Sequence, residues 1–93
     1  MVFVRSLEMS LQREEFFRLL PGAVPVCEVD GDTVRWTEGG HDGTIRLVPL
    51  PDRRLGSVVV PRHRVEIALE AWTEAEGEAF LDRFHRAFLR GGG

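Results

Sequence analysis

The chain has 93 residues, a single cysteine and a formal net charge of −3 at pH 7. This length predicts one domain over residues 1–93, with no room for a second independent core. One cysteine cannot close an internal disulfide, and the sequence shows no signal peptide and no apolar run of membrane-spanning length. We therefore expect a cytoplasmic protein without a membrane partner. The acidic balance makes nucleic acid an unlikely ligand class.

The first elements in chain order are a predicted strand over residues 2–9 and a predicted helix over about residues 11–20. Apolar and polar side chains alternate along the first segment, which is typical of a half-buried strand. Ser10 is placed to cap the helix, and Glu14 precedes Arg18 by one turn, a spacing at which opposite charges stabilise a helix. The predicted apolar stripe of this helix consists of Phe16, Leu19 and Leu20.

Three strands are predicted in the middle of the chain, over residues 24–29, 33–38 and 44–50. The first two are joined by Asp30-Gly31-Asp32, and Asp-Gly between two such runs is a strong hairpin signal. Residues 39–43 are rich in glycine and indicate a turn. Proline cannot donate to a ladder, so the last strand should end, or lie at a sheet edge, at its two prolines, Pro49 and Pro51.

A short apolar run over residues 55–60 and a regularly alternating strand over residues 64–71 complete the predicted sheet. The run contains Val58, Val59 and Val60 in succession, which indicates either burial on both faces or an exposed edge that pairs with another chain. In the alternating strand, the residues predicted to point inward are Val65, Ile67, Leu69 and Ala71.

The last helix has the best-marked beginning. Thr73 and Glu76 form a capping box, in which each side chain accepts a hydrogen bond from the other residue's backbone amide. An apolar stripe faces the core, and Gly91 should stop the helix. The stripe consists of Phe80, Leu81, Phe84 and Phe88.

Together these elements predict an α+β fold, with an antiparallel sheet of about five strands and two helices on one face, in the order β-α-β-β-β-(β)-β-α. This order resembles the TATA-binding-protein-like and helix-grip folds. The segments Leu19-Leu20-Pro21 and Phe84–Gly93 are also similar to small uncharacterised bacterial proteins. The helix-grip resemblance implies an apolar ligand between the sheet and the last helix, at the face of Phe80 and Phe84, whereas native packing density favours a filled core there.

Chemical motifs are scarce. His41, His63 and His85 are scattered without metal-ligand spacing, and no nucleophile elbow, phosphate loop or dinucleotide fingerprint occurs. We therefore expect no catalytic residue, no metal and no cofactor. The ending Leu89–Gly93 resembles the Leu-Arg-Gly-Gly tail of ubiquitin-like proteins, but it follows a helix instead of a strand, and a helix stop explains it as well.

The middle of the chain is its only basic part. Its arginines flank the apolar run and predict the rim of a site for an acidic partner protein or an anionic small ligand, because the planar guanidinium matches carboxylate and phosphate. The alternative is a solvated pair of loops, balanced by Asp52 and Glu66. The predicted site consists of Arg53, Arg54, Arg62, His63 and Arg64.

Two classes of function follow. The first is a non-enzymatic binding or protein-interaction module that acts as an oligomer, most simply a dimer, since a small domain leaves much of its sheet uncovered. The second is a small-ligand-binding or enzymatic helix-grip-like domain that uses the face between the sheet and the C-terminal helix. A solid core at Phe80 and Phe84 would favour the first class.

Overall fold

The computed structural model describes residues 2–91 as five strands and two helices, which confirms the α+β class. Met1, Gly92 and Gly93, and with them the end of the predicted glycine tail, lie outside the described residues. All strand pairs are antiparallel, and the spatial order in the sheet is β1-β5-β4-β3-β2. The elements in chain order are β1 (Val2–Met9), α1 (Arg13–Leu19), a 3-10 turn (Leu20–Gly22), β2 (Glu28–Asp30), β3 (Thr33–Glu38), β4 (His41–Leu55), β5 (Val58–Glu70) and α2 (Glu74–Gly91).

Both helices pack on one face of the sheet, which we call the inner face. Alternate residues of the strands point to it, and they join the aromatic stripe of α2 in one apolar cluster. The opposite, outer face has no covering layer among the described residues. The buried side chains of the inner face include Phe3, Val34, Trp36, Ile45, Leu47, Val65, Ile67 and Leu69.

Glycine turns set two of the hairpins. Gly31 follows Asp30 with a φ of +61° and connects β2 to β3, as the Asp-Gly signal predicts. Gly39 and Gly40, with φ of +61° and +80°, connect β3 to β4 in a two-residue loop. Positive φ at both loop positions matches the twist of the flanking strands and carries no penalty in glycine. The loop is shorter than predicted, because β4 already begins at His41.

The capping box of α2 forms as predicted. The Thr73 amide donates to the Glu76 carboxylate at 2.8 Å, and the Glu76 amide donates to the Thr73 hydroxyl at 3.1 Å. The bond from the Thr73 backbone lowers the pKa of Glu76. The four predicted stripe residues are all buried, and they are Phe80, Leu81, Phe84 and Phe88.

The predicted beginning of the first helix was wrong. It begins at Arg13, and its N-cap is Gln12, which makes no side-chain capping bond. Ser10 lies too far upstream to cap it. Arg18 approaches Glu15 at 3.7 Å instead of the predicted Glu14, because a residue three positions away is also a neighbour on the helix surface.

Strand boundaries in the middle of the chain also differ from prediction. Residues 24–27 are not in a strand, since the 3-10 turn and Pro25 carry the chain around the helix end, and β2 begins only at Glu28. Conversely, the predicted strands over residues 44–50 and 64–71 are longer and absorb the apolar run. Ala71 lies beyond β5 with a φ of +60° and is exposed, because the chain turns there towards α2.

Candidate functional site

A two-stranded ribbon extends beyond the rest of the sheet. The last β1 residue, Met9, pairs with His63, and the last β4 residue that pairs with β3 is Arg46. Past these points β4 and β5 pair only with each other, up to the turn at Gly56-Ser57. We call residues 49–62 the arm. It helps to explain why the molecule measures 47 Å along its long axis but only 24 and 22 Å across.

The tip of the arm exposes large apolar side chains. Leu55 and Val58 are paired across the ribbon and are 56% and 57% exposed, and Val59 is 49% exposed. Neither helix covers the arm, since the side chains of α1 and α2 are buried against the body of the sheet. Both long edges of the arm also lack a neighbouring strand within residues 2–91. Such an edge is a template for pairing with another chain.

A bulge interrupts the arm near its middle. Pro51 and Asp52 on β4 stand opposite the single residue Pro61 on β5. A two-against-one arrangement bends and twists a ribbon, and it accommodates prolines, which have no amide hydrogen for the ladder. The Arg62 side chain stabilises the bulge by donating a hydrogen bond to the Pro51 carbonyl at 3.1 Å. β4 therefore continues through Pro49 and Pro51. Of the two predicted outcomes, a strand end or a position at a sheet edge, the edge position is the one observed.

The register separates the five residues of the predicted anion site. Directly paired residues of an antiparallel ladder share a face. Arg64 pairs with Val48 on the outer face, and Arg62 and Arg53 follow along that same face. Arg54 and His63 belong to the inner face. The structure thus places three of the five side chains on the outer face of the ribbon and the other two on its inner face.

Three of these residues already have partners. Arg62 donates to the Glu8 carboxylate at 2.5 Å, and Arg64 lies 3.5 Å from the Glu66 carboxylate. His63 is the residue next to the arm, at the position that we call the arm base. Its Nδ1 atom lies 2.9 Å from the Leu11 carbonyl, and this contact connects the arm base to the segment before α1. Across residues 2–91, the ion pairs within 4.0 Å include neither Arg53 nor Arg54. These two cations at the exposed half of the arm are the ones available to a partner.

The face assigned to a helix-grip ligand is filled by side chains. Phe80 and Phe84 are 1% and 0% exposed. Phe80 stacks on Trp36 with ring centroids 5.3 Å apart, and Phe84 contacts Phe88 at 4.4 Å. Aromatic side chains packed in this way occupy the space between sheet and helix that a ligand would need.

Sequence reasoning missed a polar cluster at the rim of this core. Arg83 of α2 donates to both carboxylate oxygens of Glu38, at 2.8 and 2.7 Å, and to the Ala23 carbonyl at 2.8 Å. These bonds from Arg83 lower the pKa of Glu38 against the opposing effect of burial. A cleft of about 230 Å³ beside the pair is also lined by His41 and Trp72. Because 45 residues separate Glu38 from Arg83, no local pattern could have predicted the pair.

Within residues 2–91, no three His, Cys, Asp or Glu side chains lie close enough together to hold a metal ion. Cys27 is a half-buried free thiol. In the same part of the chain, no helix has both the length and the apolar character needed to cross a membrane. No family model, curated protein or solved structure matches the chain.

Proposed function

We propose that this protein is a non-enzymatic protein-interaction module that acts as a homo-oligomer through its arm. The proposal rests on the exposed apolar side chains at the arm tip, Leu55 and Val58 on the outer face and Val59 on the inner face, and on the two unpaired edges of the ribbon. Exposed apolar side chains and open strand edges are costly in a monomer and are typical of surfaces that bind another protein. A 93-residue domain also has a thin stability margin, which a partner chain increases by mass action.

Charge supports a second copy of the chain as the partner. The arm has one acidic and three basic side chains, for a net +2, so the remainder of the chain carries −5. Opposite charge on two surfaces of the same molecule favours contact between the arm of one copy and the body of another.

The alternative is a small-ligand-binding or enzymatic domain of helix-grip type. Its ligand would have to displace Phe80 or Phe84, both of which are buried against other aromatic rings. The filled core therefore favours the interaction module. The predicted anion site remains compatible with either class, since Arg53 and Arg54 are exposed.

Sedimentation equilibrium over micromolar concentrations tests the proposal. We expect a dimer, and Val59→Glu should weaken it at least about tenfold, because it places a charge in an apolar contact. Val29→Glu is the matched control, since Val29 is also a strand valine, 52% exposed but outside the arm.

A monomer at every concentration would contradict the proposal. Equal effects of Val29→Glu and Val59→Glu would contradict the role of the arm. A monomer that binds phosphate-bearing ligands or acidic peptides in a salt-sensitive manner would instead favour the anion site at Arg53 and Arg54.

A further inference from the structure

A second apolar surface lies at the base of the arm. A cleft of about 530 Å³ opens between the end of β1, helix α1 with the segment before it, and the last turns of α2. Its apolar lining is only partly covered, and the acidic residue Glu15 lies at its border. The residues that line it include Leu7, Met9, Leu11, Leu19, Glu8 and Glu15.

The arm cannot fill this cleft within its own molecule. His63 at the arm base is paired with Met9, and the tip residue Val58 precedes His63 by five positions in the same strand. At about 3.3 Å per residue the tip therefore lies roughly 17 Å from the base, and a continuous ribbon does not fold back on itself. A tip that enters the cleft must come from another molecule.

We infer that the arm tip of one copy occupies the cleft of a second copy, in a reciprocal arm exchange about a two-fold axis. This inference rests on the proposed self-association and names its contact surface. Two arms that lie side by side in opposite directions place each tip at the partner's arm base, where the cleft is. The two-fold rotation that relates the copies then fills both clefts with identical contacts, as a closed dimer requires.

The inner face of the arm supplies the inserting residues. Arg54 and Val59 are paired across the ribbon and point to the inner side, the side on which α1 and α2 border the cleft. Val59 supplies apolar surface for the partly covered leucines. Arg54 has no ion pair within residues 2–91, whereas Glu15 at the cleft has only a distant one, to Arg18 at 3.7 Å. The exchange brings the free cation to this weakly paired carboxylate.

Disulfide trapping tests the geometry. In a Cys27→Ser background, chains with Val59→Cys and chains with Ser10→Cys are mixed and oxidised. Ser10 is exposed at the cleft border, so its replacement is conservative. We expect disulfides between the two kinds of chain. Val29→Cys chains, matched in exposure, should not link to Ser10→Cys chains.

Preferential linkage of Val59→Cys chains to one another would overturn the inference, because arm exchange keeps the two tips apart. Equal linkage by the Val29→Cys control would also overturn it. A dimer that sediments normally but gives no Val59–Ser10 linkage refutes arm exchange while leaving the interaction module intact. The absence of any dimer refutes both.

A charge exchange provides an independent readout in sedimentation. Arg54→Glu and Glu15→Arg should each weaken the dimer about tenfold, and the double variant should recover most of this loss. Circular dichroism of each variant checks that the monomer is folded. Purely additive losses in the double variant would contradict contact between the two positions.

Discussion

Gly77→Ala should destabilise the protein, although alanine is the better helix former. Gly77 is buried in α2, and a Cβ atom there would lie 2.5 Å from two ring carbons of Phe3. Real Cβ atoms do not approach other atoms closer than about 3.0 Å, so the ring or the helix would have to move. The Phe3 ring cannot swing away freely, because it is 4% exposed within the core.

The two opposing effects can be compared. Overpacking a dense core costs about 1–3 kcal/mol, and a contact this short places the cost in the upper part of that range. The higher helix propensity of alanine offsets about 1 kcal/mol of this cost. We therefore expect Gly77→Ala to lower the free energy of unfolding by about 1–2 kcal/mol in urea titration followed by tryptophan fluorescence.

Two further variants separate the cost of overpacking from the helix preference of alanine. Ala79→Gly, at an exposed position of the same helix, measures the local helix preference without a core contact. In a Phe3→Ala background the ring is gone, so Gly77→Ala should become neutral or stabilising. If Gly77→Ala stabilises the protein with Phe3 in place, the packing of α2 against β1 described above is wrong.

Two other substitutions test the core and the rim cluster. Phe84→Ala should cost about 3–5 kcal/mol in the same urea titration, because the ring is fully buried between Phe80 and Phe88; a loss below about 1 kcal/mol would show that the core lies elsewhere. Arg83 lowers the pKa of Glu38, so the stability from this pair is present above the ordinary glutamate pKa of about 4.3 and is lost as the pH falls through the lowered value. Wild type should consequently lose more stability than Glu38→Gln between neutral pH and about pH 3, and parallel losses would contradict the role of the pair.

Features set by neighbouring residues could be predicted from the sequence. Thr73 and Glu76 define the beginning of α2 because their hydrogen bonds are local. Gly31 defines the first hairpin because glycine accepts positive φ at low cost. The alternation along β5 correctly predicted Val65, Ile67 and Leu69 as inner residues, because the side-chain period of a strand is two.

Features set by distant residues could not be predicted. Val58, Val59 and Val60 are apolar in any context, and whether they lie inside a sheet or on a protruding arm depends on where β1 and β3 end. The pairing of Arg83 with Glu38 depends in the same way on the packing of α2 over the β3 end. Residues 24–27 have strand-forming valines, but tertiary contacts of the helix end overrode that preference.

The placement of β1 beside β5 has a consequence for synthesis on the ribosome. Val2 pairs with Glu70, so β1 cannot form its ladder until the other four strands of the sheet have been translated. Pairing over such a long sequence separation loses loop-closure entropy, so these contacts form slowly. The β4–β5 hairpin, whose strands are joined by a two-residue turn, forms without this delay. The nascent chain therefore exposes Phe3 and Leu7 until β5 has been translated, and during this interval it is open to aggregation or to binding by a chaperone.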